Sequence, residues 1–494
     1  MNPLRRALAT RRHDDQSLLP VILREVRGFC GEHVDPARID REGRLGGDLL
    51  AAIARQGWFG LTVPEEHGGV GLSLSAATQV VAELAGHDGS VGTCVGLHSG
   101  LAMHALLHLA TPELQARYLP EIAEGRRICA FAATEPGAGS DIASVKTTLS
   151  EASGKLRLSG TKCYVTNGAM AGLVTVLARS PGLGGAKAGH TLVAVDPRWP
   201  GVQRGPEEHK LGLKGSSTLT IDFDDVEIPA DHVLGEPSQG LVHAHRALGW
   251  GRTFMAAGCL GATRAAYEDV KAHVETRQQF GRPLARFPLV RASLAEMRAE
   301  IFAIERVLDS VCAPSGDAAA PTHEEIGLPS TIVKILASEG AWRVIDRAVQ
   351  LMGGAGFIED AGMSRRLRNV RVTRIFEGAN DVLRLRLASD ALAWKVAEVR
   401  DLAVRADIDA AVSSFLDTLE EVRKTWGFRL FERQGLQVHL ADAIVALYAA
   451  VASRGDDDLS RFAVHEQLRR ANEAIARARA PVDKELDALV ARLA

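Results

Sequence analysis

Between Cys129 and about Leu234 the apolar residues of this chain fall at nearly every second position, whereas on either side they recur at three- and four-residue spacing. One layer of structure cannot satisfy both periods, so the switch demands a β unit inserted between helical ones. Inside it Leu219, Ile221 and Phe223 alternate with Thr220, Asp222 and Asp224, as in a strand with one buried face. Lys155 to Ser159, Leu173 to Ala178 and Thr191 to Val195 follow the same rule. The Gly-rich stretch from Pro181 to Gly189 is expected to be a hairpin loop. It is no dinucleotide fingerprint, because its glycine spacing is wrong and no βαβ unit surrounds it.

The flanks are helical. Thr111-Pro112-Glu113 opens a helix with a cap, a proline in the first turn and an early acid. From about Gln239 to Trp394 the pattern is that of a bundle of long helices, interrupted by the linker Ala313 to Pro321. Beyond Trp394 a further helical region puts Leu436, Leu440, Ile444 and Leu447 on one face, ahead of the acidic turn Gly455 to Asp458. The expected class is α+β, mainly α.

A formal net charge of -3 leaves no electrostatic footprint for nucleic acid, and 46% hydrophobic residues supply several cores. No uninterrupted apolar run of about 18 residues occurs, so no transmembrane segment is expected. The basic start, with Arg5, Arg6, Arg11 and Arg12, lacks the apolar core of a signal peptide, and no targeting peptide is expected. The cysteines at 30, 94, 129, 163, 259 and 312 have neither CxxC nor Cys/His ligand spacing, which argues against disulfides and against a metal site.

Several segments carry possible chemistry. Glu377 follows Ile375 and Phe376 and precedes Gly378-Ala379-Asn380-Asp381. A carboxylate partly desolvated by such neighbours has a raised pKa and can serve as a general base. The alternative is an ion-paired glutamate near a helix start, with Asn380 or Asp381 as cap. Phe131 to Asp141 offers the hydroxyls of Thr134 and Ser140 beside Gly137 and Gly139, and could cradle a flat or anionic ligand or be a plain interdomain turn. On the strand that follows, Tyr164 and Thr166 should point to the same side, suited to stacking on a ring and bonding to it, or simply to pairing in a sheet. Arg277 at the end of a long helix suits a pyrophosphate or the helix dipole. Gln350-Leu351-Met352-Gly353-Gly354 ends another helix, with glycines that either permit a close backbone approach or form a C-cap. Seven arginines between Arg365 and Arg386 surround Glu377, either ion-paired or guiding a polyanion.

The ordered set FAATEPGAGSD, GTKCYVTNG, LGLKGSSTLTIDFDDVEIP, ETRQQFGRPL, QLMGGAGF and RIFEGAND resembles the acyl-CoA dehydrogenase family over roughly residues 20 to 395. RIFEGANDVLRL, with the similar extension FERQGLQVHLADAIVALY, resembles the very-long-chain branch. The resemblance implies an N-terminal helical domain (1–128), a middle β-barrel-like domain (129–236), a C-terminal four-helix bundle (237–395) and a helical extension (396–494). It implies FAD as cofactor, an acyl-CoA substrate of medium to long chain, an electron-transfer flavoprotein as partner, a homodimer, and, in a bacterium, a cytoplasmic location.

By the same resemblance Glu377 removes the α-proton of the thioester while a β-hydride passes to FAD. Phe131, Thr134, Gly139, Ser140, Tyr164 and Thr166 line the flavin, with Ala379 and Asp381 near it. Arg277, Phe280, Gln350, Gly353 and Gly354 contact the FAD of the neighbouring subunit. Ser140, Arg252 and Gly378 touch the substrate. Some branches carry the base just before the arginine that matches Arg252; here that residue is Gly251, which cannot act. Two positions depart from the family: Tyr164 stands for the usual tryptophan and Ala379 for the usual threonine. An oxidase using oxygen and a non-catalytic assembly factor are the competing expectations.

Overall fold

The computed structural model describes residues 19–314, 321–394 and 404–480, together with Arg492. The N-terminal part comprises α1 (Leu19–His33), α2 (Pro36–Glu42), α3 (Gly47–Arg55), α4 (Leu74–His87), α5 (Gly89–Leu97), α6 (Met103–Leu109) and α7 (Pro112–Ala123). Side-chain caps start four of these. Asp35 accepts from the amides of Ala37 and Arg38, Ser73 from Ala76, Asp88 from Ser90 and Val91, and Thr111 from Leu114. Between α5 and α6 the chain widens into a π turn, His98–Ala102. His98 is buried there, its Nδ1 accepting from the Cys129 amide at 2.9 Å and its Nε2 donating to the Phe59 carbonyl at 2.9 Å. Burial lowers its pKa to about 4, so this neutral ring stitches the helices to the first strand.

The middle part is one eight-stranded sheet: β1 (Ile128–Ala132), β2 (Thr148–Ala152), β3 (Lys155–Thr166), β4 (Ala171–Ser180), β5 (Gly189–Val195), β6 (Val202–Glu207), β7 (Thr218–Ile228) and β8 (Val233–Leu234). The order is β6-β7-β3-β2-β4-β5-β8, with β1 parallel to β4. The single pair Thr148↔Arg179 joins β2 to β4. The sheet therefore folds at that point, and Leu158, Ile221 and Phe223 of one half share a core with Val174, Val176 and Val193 of the other. The β4–β5 hairpin spans the Gly-rich loop, as the sequence suggests.

Next comes the bundle: α8 (Gly240–Thr276), a short hairpin β9 (Gln278–Gln279) and β10 (Arg282–Pro283), then α9 (Pro288–Cys312), α10 (His323–Met352), α11 (Gly354–Phe357), α12 (Met363–Arg371) and α13 (Asn380–Ala391). Thr322 and Glu325 form a capping box on α10. Part of the linker Ala313 to Pro321 lies outside the described residues. The extension contributes α14 (Ala406–Thr425), α15 (Gln434–Ala452) and α16 (Asp458–Arg479), the last capped by Asp457. Helix α15 packs against α9, α10 and α13. Its Tyr448 is fully buried, with the hydroxyl 3.0 Å from Ser310 Oγ.

Two helical stretches, Gly89–Leu109 and Gln434–Ala452, are long and apolar enough to cross a membrane by length and composition. In the fold they are core, 89% and 72% buried.

Candidate active site

The base candidate sits in a bend rather than in a helix. After α12 a 3-10 turn, Val372–Arg374, brings the chain to Glu377, whose φ of 56 is left-handed, followed by Gly378 at φ 98. A glutamate in that region costs on the order of 1–2 kcal/mol, so the bend must be held by its surroundings. Two cations hold it, a half-buried arginine and a fully buried lysine. Arg252 Nε donates to the Glu377 carbonyl at 2.9 Å, and Lys334 Nζ donates to the next carbonyl, that of Gly378, at 2.8 Å.

Oε2 of Glu377 is buried and has no hydrogen-bond partner among the described residues. Burial raises the carboxyl pKa to about 7, against the opposing pull of Arg252 and Lys334. Gly251 makes the space, for a Cβ there would lie 2.9 Å from Oε2. The Glu377 amide also has no hydrogen-bond partner among the described residues, which leaves a donor available in the bend.

Neither Asn380 nor Asp381 caps the helix that follows. The cap position of α13 is Ala379, without a side-chain bond, because the Asn380 amide is committed elsewhere. It donates to Ser338 Oγ at 2.9 Å and to Glu339 Oε1 at 2.8 Å, and accepts from Lys334 Nζ at 2.6 Å. Glu339 also meets Arg374 at 2.9 Å and Arg384 at 3.2 Å, and Arg384 reaches Asp442 of α15 at 2.7 Å. The arginine cluster is thus largely ion-paired: Arg366 with Asp269, Arg368 with Asp40 and Glu359, and Arg386 with Asp390. Asp381 is exposed and only 3.7 Å from Arg384.

The residues expected to line a flavin fall into two groups. Phe131 packs with Leu97, Leu101 and Ala247, about one helical turn from Gly251, so the end of β1 adjoins the base. The Cys163 amide donates to the Thr134 carbonyl at 2.9 Å, bringing the Thr134–Ser140 loop beside Tyr164 and Thr166. Tyr164 is 66% exposed at φ 56, Val165 behind it is buried, and Thr166 is half-buried, so the two polar side chains share the open side. The β3–β7 register shifts there, between Lys162 and Val165. Lys162 turns inward instead, to a buried pair with Glu135 at 2.8 Å.

The second group is distant. Arg277 lies 25 residues beyond Arg252 on the α8 axis, about 37 Å away, and Gln350 lies 16 residues beyond Lys334 on α10, about 24 Å away. Arg277, Phe280, Gln350, Gly353 and Gly354 are all exposed, Phe280 by 92%. One chain does not bring them to its own base.

A cavity lies between α5, α8 and α12, with Phe376, the neighbour of Glu377, in its lining. Leu97, Phe254 and Phe376 mark the end nearer Glu377 in sequence; Asp88, Ala262 and Arg366 mark the other end. Cross-contacts fix that order, since a Cβ at Gly96 would lie 3.8 Å from Phe254 while Arg366 Nη1 donates to the Gly86 carbonyl at 2.7 Å. Eight residues of α8 separate the ends, a length of about 12 Å. Gly92, Gly96 and Gly258 are part of its lining, and at Gly92 a Cβ would lie 2.5 Å from that of Ala85, so the close approach of α4 and α5 needs the glycine.

Residues 20–126, 130–226 and 238–392 match the N-terminal, middle and C-terminal domains of acyl-CoA dehydrogenase. An acyl-CoA dehydrogenase of Bacillus subtilis (strain 168) is 32% identical over 366 residues, covering 73% of this chain and 94% of the relative. The chain belongs to the acyl-CoA dehydrogenase family. The mitochondrial very long-chain specific acyl-CoA dehydrogenase of Homo sapiens is 35% identical over 381 residues, 76% of this chain, which spans only 58% of that relative. The crystal structure of an acyl-CoA dehydrogenase complexed with FAD from Bacillus anthracis superposes with a TM-score of 0.85 at 26% identity, covering 96% of this chain and 89% of that one.

For a member of the acyl-CoA dehydrogenase family the open surfaces are the informative ones. At Gly137, Gly139, Gly353 and Gly354 a Cβ would meet nothing within 4 Å, so a planar or anionic group can approach the backbone. With the exposed ring of Tyr164 and the exposed hydroxyl of Ser140, these positions fit a flavin nucleotide. Arg252, expected at the substrate, has its guanidinium divided between the Glu377 carbonyl and Thr331 Oγ1 at 3.3 Å. Sequence reasoning missed Lys334, Ser338, Glu339 and Lys162, all buried polar residues. Two charged residues within the apolar run from Ile332 to Ala337 and its sequel, Lys334 and Glu339, were the available signal.

Proposed function

We propose that this chain is an FAD-dependent acyl-CoA dehydrogenase that converts a fatty acyl-CoA thioester to its trans-2-enoyl-CoA, with Glu377 as the α-proton base. One observation carries the reading: a buried, unpartnered carboxylate oxygen with its pKa raised to about 7 belongs to the residue next to Phe376, which lines a largely apolar cavity. FAD, when bound, supplies the acceptor for the hydride that leaves the β carbon. Glu377 takes the α-proton, and the remaining C–H electron pair becomes the new double bond. A base of pKa near the working pH is ionised often enough to accept that proton and basic enough to hold it. The Glu377 amide donates to the thioester oxygen, where charge develops as the proton leaves. Phe131, Thr134, Ser140, Tyr164 and Thr166 hold the flavin of the same chain; Arg277, Phe280, Gln350 and Gly353 hold that of the second chain of a homodimer. Their distance from the base within one chain supports that division.

The cavity receives the acyl group. Its lining extends over about 12 Å of α8, which supports medium to long substrates. An electron-transfer flavoprotein is the proposed acceptor of the electrons. The test is anaerobic mixing of the FAD-loaded protein with palmitoyl-CoA and with a panel of shorter thioesters. Bleaching of the flavin band is expected, and an oxidised spectrum with every chain length would defeat the reading. Rapid peroxide formation in air would instead reveal an oxidase.

A further inference from the structure

We infer that Lys334 is a positioning residue for the base: with Arg252 it clamps the two consecutive carbonyls of the Glu377–Gly378 bend, and its charge keeps the carboxylate ionised for proton abstraction. The inference rests on the reading of Glu377 as the base.

Lys334 is fully buried on α10, and its ammonium has two acceptors, the Gly378 carbonyl at 2.8 Å and Asn380 Oδ1 at 2.6 Å. Such a group is costly to bury, and nothing about packing an α-helix calls for it between Val333 and Ile335, both buried apolar residues. Its position is explained by the bend. The left-handed φ at Glu377 turns the carbonyls of 377 and 378 toward the helices, where Arg252 of α8 and Lys334 of α10 receive one each. Asn380, the first residue of α13, is fixed by the same ammonium and by Ser338 and Glu339. The bend is therefore gripped on three sides, which supports a backbone conformation that a glutamate alone disfavours.

The charge acts as well as the geometry. Glu377 faces two cations, Arg252 and Lys334. Lys334 in turn faces Arg252 and Cys259 on α8, Glu377 in the bend and Glu339 on its own helix. Arg374 and Arg384 meet Glu339 from the far side, so its negative charge is already compensated. Burial lowers the Lys334 pKa to about 7, the same range to which burial raises Glu377. Each charge stabilises the other, and the carboxylate–ammonium form is the one competent for abstraction. A purely structural lysine would hold the bend without moving the pH at which Glu377 ionises.

The experiment compares wild type, Lys334→Met and Lys334→Arg as FAD-loaded enzyme. Two readouts are taken across pH: the rate of anaerobic flavin reduction at saturating acyl-CoA, and the infrared carbonyl band of the protonated carboxyl that disappears in Glu377→Gln. With methionine, the acid limb of the rate and the midpoint of the band should both move up by about one pH unit or more. The rate near neutrality should fall about tenfold and recover at alkaline pH, with KM little changed. Arginine, a permanent cation, should restore both midpoints to the wild-type value or below it. Wild-type midpoints in Lys334→Met, or a midpoint above wild type in Lys334→Arg, overturn the inference. If Lys334→Met does not fold, the arginine variant alone decides. Failure of the wild-type flavin to be reduced is a separate outcome, which strikes the base assignment itself.

Discussion

The bend around Glu377 and the surface carrying Arg277, Phe280 and Gln350 are opposite kinds of site. The first is assembled within one chain: Arg252, Lys334 and Asn380 hold the bend, while among the described residues Glu377 Oε2 has no partner. The second is open, with an aromatic ring 92% exposed and a backbone that nothing covers. Preorganisation is thus concentrated at the bend proposed to hold the base, whereas the peripheral surface is left open in a single chain.

The contrast can be broken most severely at the base. Glu377→Gln keeps the volume and removes the proton acceptor, so flavin reduction should slow by about 10² to 10⁴ while the bound cofactor keeps its absorbance. Gly251→Ala probes the same site from behind. Its methyl would stand 2.9 Å from Oε2 and displace the base, so a loss on the order of 10² in rate is expected, measured by the same anaerobic mixing. At the open surface the expected effect is smaller and of another type. Arg277→Ala should weaken cofactor retention by roughly tenfold, the worth of one charged hydrogen bond, while the reduction rate of the FAD-saturated protein stays near wild type. Ultrafiltration followed by flavin fluorescence measures it. The smallest change is a gain. Ala379, at φ -56 and ψ 134, occupies the cap of α13 without a capping side chain, and Ala379→Thr should stabilise the fold by about 1 kcal/mol, seen as a raised melting temperature.

Much of this was legible in the sequence, for reasons that differ by residue. The period switch at Cys129 and the cap at Thr111 are local signals, and local signals survive without tertiary knowledge. Glu377 was legible because apolar neighbours, a glycine and an ordered series of motifs bracket it. Asn380 was misread as a cap because caps are the common use of asparagine at a helix start, whereas its partners Ser338 and Glu339 lie 42 and 41 residues away. Lys334 and Gly378 are 44 residues apart, and Lys162 and Glu135 are 27 apart. No periodicity reports such a pair, since each residue looks like a misplaced charge until the fold supplies the other. The register shift between Lys162 and Val165 is equally invisible in a strand pattern.

Tyr448 carries a lesson for anyone who would shorten this protein. Its ring is wholly inside and its hydroxyl meets Ser310 of α9, while Asp442 on the same helix completes the ion pairs of Arg384. A fragment ending near Trp394 would keep every family motif, yet it would bare a greasy flank of α9 and α10 and strip a counter-ion from the chain of contacts that ends at Asn380. Such a fragment should self-associate, and the extension is better regarded as an inner wall of the bundle than as an appendage.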